Sequence, residues 1–72
     1  MKILASRRYR IGDVIAVTQH LDDGSWLATF PGFTGFGAAE SDALRDLAAN
    51  VESAAKALHL QAIEVHNIEA CE

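Results

Sequence analysis

The chain has 72 residues, of which 50% are hydrophobic and 22% are charged, and its formal net charge is −4. This length accommodates one domain, residues 1–72, which hides only about 60% of the surface that its unfolded chain exposes. No apolar run approaches a membrane-spanning length, the start is too poor in apolar residues for a secretory signal, and the single Cys71 excludes an internal disulfide, so we expect a cytoplasmic protein with a free thiol.

The first segment is a basic arm. Four of the six basic residues, Lys2, Arg7, Arg8 and Arg10, precede Ile11, whereas all ten acidic residues follow it. A basic arm can bind phosphates, but such a pattern is also typical of a solvated strand face or of partners for nearby carboxylates. These four residues are candidate nucleic-acid-binding residues, although the acidic remainder of the chain would repel a nucleic-acid backbone.

Residues 11–14, Ile-Gly-Asp-Val, contain a candidate tight turn. As a turn, they make the basic arm an additional β-strand. A bulge at Gly12 within one longer strand would have the same pattern, and both interpretations stay open.

Residues 14–30 have the clearest strand signal. Two runs rich in β-branched and aromatic residues flank an Asp-Gly pair at 23–24, which is favoured in two-residue type I′ hairpin turns. This turn places Leu21 opposite Trp26 and gives the hairpin one apolar face. The predicted members of that face are Ile15, Val17, Trp26, Ala28 and Phe30.

Residues 30–37 read Phe-Pro-Gly-Phe-Thr-Gly-Phe-Gly and contain every phenylalanine of the chain. Pro31 cannot donate to a sheet and therefore ends the second strand of the hairpin. Beyond it, either Phe36 begins another short strand and packs inward, or part of the stretch is exposed and covered by a partner. A turn with ordinary core aromatics is the plainest interpretation. The candidate protein-interaction residues are Phe33, Thr34, Gly35 and Phe36.

From Ser41 the apolar period becomes helical. The three-four spacing predicts a helix from Ser41 to about His59, packed on the apolar hairpin face. Ser41 is the expected N-cap, and Asp42 suits the positive end of the helix dipole. Residues 61–68 fit either a last strand or a continuation of the helix, and we favour the strand because of their β-branched residues. The predicted fold class is therefore α+β, with an antiparallel sheet of three to four strands and one α-helix on one face, in the order β-β-β-α-β.

Several of these features together resemble the HicB family of small antitoxin domains. They are the Asp-Gly turn, the aromatic Trp26, the Phe30-Pro31 pair, the following glycines and a helix that carries Ala43 and Leu44. The resemblance covers roughly residues 14–58. It implies a hairpin-led sheet with one helix, similar to a truncated ribonuclease H core, in a protein that assembles through its sheet edges.

Catalytic and metal sites are not expected. The acids Asp13, Asp22, Asp23, Glu40 and Asp42 lack the strand placement that a two-metal nuclease site needs. His20, His59 and His66 lack compact metal-ligand spacing, and nothing resembles a phosphate loop. We therefore expect no enzyme activity, no metal and no cofactor.

The expected function is that of a small non-catalytic interaction domain that forms a dimer or larger oligomer. Residues 30–37 are expected in or beside the contact between copies, because an uncovered aromatic loop would cost solubility. The resemblance implies a second partner, a small basic toxin that the acidic domain would bind and neutralise. The alternative function is nucleic-acid binding through Lys2, Arg7, Arg8 and Arg10, which would depend steeply on salt.

Overall fold

The computed structural model describes residues 2–70. Its elements are the strands β1 (Ile3–Ile11), β2 (Val14–Leu21), β3 (Trp26–Phe30) and β4 (Phe33–Gly37), the helix α1 (Glu40–Asn50), a short 3-10 turn (Glu52–Ala54) and the helix α2 (Ala55–Ala70). The strands form one antiparallel sheet in the order β1-β2-β3-β4, which confirms the predicted α+β class and antiparallel sheet. Within the described range, neither helix is both long and apolar enough to cross a membrane.

The basic arm is a strand of its own. Ile11 pairs with Val14 across a two-residue loop, so the tight turn, and not the bulge, is present. Gly12 has a φ of +63° and Asp13 does not have a positive φ, which fits a type II′ turn with glycine at its first loop position. Within residues 2–70 the sheet therefore has four strands, and β1 forms one of its edges.

The predicted register between β2 and β3 is wrong by one residue. His20, and not Leu21, lies opposite Trp26. The Leu21 N–H donates to the Ser25 carbonyl at 2.9 Å, and the Gly24 N–H donates to the Leu21 carbonyl at 3.0 Å. The loop thus has three residues. A type I′ turn needs positive φ at both loop residues, and here Gly24 has it while Asp23 does not.

This shift reverses the orientation of every β2 side chain. Trp26, Ala28 and Phe30 face the helices as predicted, but Ile15 and Val17 lie on the opposite side of the sheet. In their place, the buried Ala16 and Thr18 face the helices, each with an exposed fraction of 0%.

Helix α1 packs close to β4 because two glycines leave room for it. A Cβ atom at Gly35 would lie 2.6 Å from the Ala43 carbonyl oxygen and against the Leu47 backbone amide, and one at Gly37 would lie 2.6 Å from the Ala43 nitrogen. Neither glycine has a positive φ. Their missing side chains therefore serve the helix packing and not a turn.

The predicted single helix and last strand are both wrong. The first helix ends at Asn50, and residues 61–68 belong to α2. One straight helix over residues 40–70 would measure about 46 Å, whereas the longest dimension of the molecule is 30 Å. The break at Val51 lets α2 fold back along α1 and buries Leu58, Ala62 and Val65, the alternative helical stripe.

The buried side chains form one core between the helices and the sheet. Its largest members are Leu44, Leu47, Val51, Leu58 and Val65. Helix α1 begins one residue earlier than predicted, with Ala39 as a cap residue that makes no side-chain cap hydrogen bond. The predicted cap, Ser41, instead donates to Glu69 Oε1 at 2.6 Å and so links α1 to α2.

Candidate functional site

The side of the sheet away from the helices is the main candidate site, and we call it the open face. Residues paired across antiparallel strands share a face, and alternate residues along a strand change face. The registers therefore place these side chains on the open face: Ser6, Arg8, Arg10, Ile15, Val17, Gln19, Leu27, Thr29, Thr34 and Phe36. No helix within residues 2–70 covers them.

The middle of the open face is apolar. Ile15 and Phe36 are 46% and 58% exposed, and Val17 and Leu27 are half-buried between their neighbours. At one end, a shallow groove of about 290 Å³ is lined by Ile15, Val17, Thr29, Phe30 and Pro31. Apolar side chains from three adjacent strands thus form a continuous surface that a partner can cover.

The four predicted interaction residues do not share one surface. They lie in β4, where Thr34 and Phe36 point to the open face while Phe33 and Gly35 point to the helix side. Gly35 is buried beneath α1, so it cannot contact a partner. Phe36 does lie in a further strand, but that strand begins at Phe33, and Phe36 does not pack inward. Phe33, at 45% exposure, lies at the margin of the opposite side.

The basic arm is also divided between the two sides. Arg8 and Arg10 lie on the open face, and within residues 2–70 neither has a carboxylate at ion-pair distance, although Arg10 Nε donates to the Gly12 carbonyl at 3.1 Å. Arg7 lies on the helix side. Lys2 precedes β1, and its backbone N–H donates to Asp22 Oδ2 at 3.2 Å. Arg8 and Arg10 therefore form one pair, whereas Arg7 and Lys2 lie at two separate positions. The four residues do not form one cationic patch.

Arg7 belongs to a polar cluster around the buried carboxylate of Glu40. Arg7 Nη1 donates to Glu40 Oε1 at 3.2 Å, while the hydroxyls of Tyr9 and Thr18 donate to Glu40 Oε2 at 2.8 Å and 2.5 Å. Glu40 is 3% exposed and occupies the first turn of α1, where the helix dipole favours a negative charge. The cluster therefore joins β1 and β2 to the start of α1.

Sequence reasoning missed this cluster. The sequence did contain one signal for it, because the turn at Gly12 sets a register in which Arg7 lies opposite Thr18, with Tyr9 two residues along the same face. The carboxylate comes from another element and carries no local signal. Burial raises the pKa of Tyr9 above its ordinary value of 10.0, and the hydrogen bond to Glu40 raises it further. All buried side-chain polar atoms in the described chain have hydrogen-bond partners, and those of the Glu40 carboxylate are Arg7, Tyr9 and Thr18.

A second groove, of about 340 Å³, lies between the start of α1 and the end of α2. There the Ser41 hydroxyl donates to Glu69 Oε1, and His66 Nδ1 lies 3.8 Å from the same oxygen. A serine nucleophile requires a base that receives its proton and a hydroxyl that a substrate can reach. Ser41 is 1% exposed. The contact therefore fastens α2 to α1.

The remaining candidates lie apart from one another. His20 stacks on Trp26 with ring centroids 4.5 Å apart, and His59 is exposed on α2. Within residues 2–70, no three histidine, aspartate or glutamate side chains are close enough to hold a metal ion together. Cys71 lies outside the described residues.

Comparisons of the chain with protein-family models, with curated proteins and with solved structures found no match. The resemblance to the HicB family therefore rests on the residues quoted for it. In the structure, the Asp-Gly pair lies in the loop between β2 and β3, Phe30 ends β3, and Gly35 and Gly37 lie in β4 before α1.

Proposed function

We propose that this protein is a non-catalytic interaction domain that associates with copies of itself through the open face. The observation that carries this proposal is the uncovered apolar surface on the open face, formed by Ile15, Val17, Leu27 and Phe36. Full burial of such a side chain contributes about 1.5 to 3 kcal/mol. Ile15 and Phe36 are about half exposed, so burial of each in an interface can still contribute about half of that free energy.

A second copy suits this surface better than a charged partner. The apolar residues lie on β2, β3 and β4, while Arg8 and Arg10 lie on β1, at the opposite edge of the sheet from β4. Two open faces can therefore meet through their apolar residues while the arginines stay in water at the rim, the arrangement typical of protein interfaces. A domain of this size also gains more from association than a larger one, because its own core is small.

The HicB resemblance supports a second partner for the same domain, a small basic protein. The chain has a net charge of −4, and its helical layer exposes the carboxylates of Asp42, Asp46, Glu52 and Glu64. Complementary charge increases association rate and selectivity more than affinity. A small basic protein encoded beside this chain is the partner to test, in a titration at low and at moderate salt.

Sedimentation of two phenylalanine variants tests the self-association. We expect wild-type protein to sediment above the monomer mass and Phe36→Ser to sediment closer to it. Phe33→Ser is the matched control, because it removes the same side chain from the same strand on the opposite side. A wild type that is monomeric at high concentration, or equal effects of the two variants, would refute the open face as the interface.

Nucleic-acid binding is the second candidate function, because Arg8 and Arg10 are exposed and have no carboxylate at ion-pair distance within residues 2–70. A fluorescence titration with a single-stranded oligonucleotide tests it. Affinity that falls steeply with salt and is lost in Arg8→Gln/Arg10→Gln would favour this function.

A further inference from the structure

The two edge strands of the sheet, β4 and β1, differ in whether their outward backbone groups have hydrogen-bond partners. On β4, the outward backbone groups are bound by side chains of α1. The Phe36 N–H donates to Asp46 Oδ2 at 3.0 Å, and the Thr34 carbonyl accepts a hydrogen bond from Asn50 Nδ2 at 3.0 Å. This edge is therefore closed to another strand.

On β1, the outward backbone groups are uncovered. The closing pair Ile11 and Val14 is hydrogen-bonded across its two-residue loop, so odd-numbered residues of β1 point their backbone groups to β2. The N–H and carbonyl groups of Ser6, Arg8 and Arg10 then point outward. Within residues 2–70, no backbone or side-chain group binds them. An edge strand of nine residues in this state is a template for another strand.

The side chains beside this edge specify the charge of the added strand. Arg8 and Arg10 are alternate residues, so they lie on the same face about 7 Å apart along the strand. A neighbouring strand has the same spacing. Carboxylates at two alternate positions of that strand would lie beside the two guanidinium groups, whereas lysines there would repel them.

We propose that the outer edge of β1 binds an extended acidic segment of a partner protein by β-strand addition. Main-chain hydrogen bonds to Ser6, Arg8 and Arg10 would hold the segment, and its alternate carboxylates would pair with Arg8 and Arg10. A second copy of β1 is a poor occupant because Arg8 and Arg10 of each strand would then share one face of the added pair. The backbone groups that would bind the segment point outward from β1, whereas the apolar residues of the open face lie on β2, β3 and β4, so this site does not require self-association.

Fluorescence anisotropy with two labelled nine-residue peptides tests the charge preference. One peptide alternates valine with glutamate, and its control alternates valine with lysine. We expect the glutamate peptide to bind and the lysine peptide not to bind. Equal binding of both peptides, or binding of neither, would overturn the proposal.

Ser6→Pro tests the edge itself. Proline removes one outward N–H, leaves every charge in place and is tolerated on an edge strand whose N–H faces solvent. We expect the glutamate peptide to bind at least tenfold more weakly, with the cooperative thermal unfolding of the protein retained. If Ser6→Pro unfolds the protein, Arg8→Pro serves as the second edge variant. Unchanged peptide affinity in a folded proline variant would contradict strand addition, and loss of self-association in it would identify a second copy as the occupant.

Charge variants test the two arginines. Arg8→Gln/Arg10→Gln should weaken binding of the glutamate peptide about fivefold, the size expected for the loss of two exposed ion pairs. Arg45→Gln/Lys56→Gln is the matched control, because it removes two positive charges from exposed positions on the helices. Arg8→Glu/Arg10→Glu should transfer binding to the lysine peptide. Equal weakening by the control pair would show that only net charge matters and would refute the site.

Discussion

The two faces of this sheet differ in the size of the side chains at their centres. The face under the helices has Ala16, Ala28, Gly35 and Gly37 at its centre, while the open face has larger apolar residues. The larger side chains of the covered face, Tyr9, Trp26 and Phe30, are only partly buried and pack against this core. Helix α1 approaches the sheet so closely that small residues are required beneath it, and the helices themselves supply the large core side chains.

The largest expected difference between the faces is in stability. Leu44→Ala, at a position with 0% exposure, should lower the free energy of unfolding by about 3 kcal/mol, much of the roughly 5 kcal/mol expected for so small a domain. Ile15→Ala, on the open face, should lower it by less than about 1 kcal/mol at dilutions where the protein is monomeric. Urea unfolding followed by Trp26 fluorescence measures both values. Equal losses would mean that the two faces are assigned wrongly.

A smaller effect is expected where the helix contacts β4. Gly35→Ala places a Cβ atom against the α1 backbone and should lower the free energy of unfolding by about 1 to 3 kcal/mol. The control is Thr34→Ala on the open face, with an expected change under about 0.5 kcal/mol. Gly35 has no positive φ, so without the contact with α1 an alanine at this position would be neutral or stabilising. A stabilising Gly35→Ala variant would contradict the close packing.

The polar cluster at the margin of the covered face should make stability depend on alkaline pH. The pKa of Tyr9 is raised in the folded state, so the protonated hydroxyl contributes to the stability of the fold and its ionisation removes that contribution. This contribution is complete below the unfolded pKa of about 10 and is lost as the pH rises through the folded value. Urea unfolding between pH 8 and pH 11 should show a steeper decline for wild type than for Tyr9→Phe. Parallel declines would exclude Tyr9 as the cause.

The smallest predicted effect concerns the loop that sets the register of β2. Hydrogen bonds from the Ser25 hydroxyl and backbone N–H to Asp23 Oδ1 lower the pKa of Asp23 below its ordinary value of 3.8. An NMR titration should place the pKa of Asp23 below 3.8 in wild type and closer to it in Ser25→Ala. An unchanged pKa would indicate a loop without the Ser25 hydroxyl contact.

The elements that depend on local chemistry were predictable. The end of β3 before Pro31 and the start of α1 agree with the structure within one residue. At Gly12 the sequence left a turn and a bulge both open, and the structure has the turn. The register between β2 and β3 was not predictable, because an Asp-Gly pair fits both a two-residue and a three-residue loop. The break at Val51 has no glycine or proline to mark it, since it results from the packing of α2 onto α1.

The candidate site was predictable only in part. The aromatic content of residues 30–37 pointed to exposed side chains in β4, and Phe36 is one of them. That Gly35 is buried, and that Phe33 and Phe36 lie on opposite sides, depends on where α1 packs. The division of the arginines follows from strand alternation once β1 is known to be a strand. The Glu40 contact to Arg7 spans 33 residues and has no local pattern.

The sheet order has a consequence for the kinetics of folding. Each strand pairs with the strand that follows it in sequence, so three successive hairpins can close without a long loop. Topologies dominated by such local contacts fold fast. Helix α2 contacts α1 but hardly the sheet, and its link from Glu69 to Ser41 joins residues 28 positions apart. We therefore expect α2 to dock last and to open first, so that its amide hydrogens exchange with solvent before those of β2 and β3.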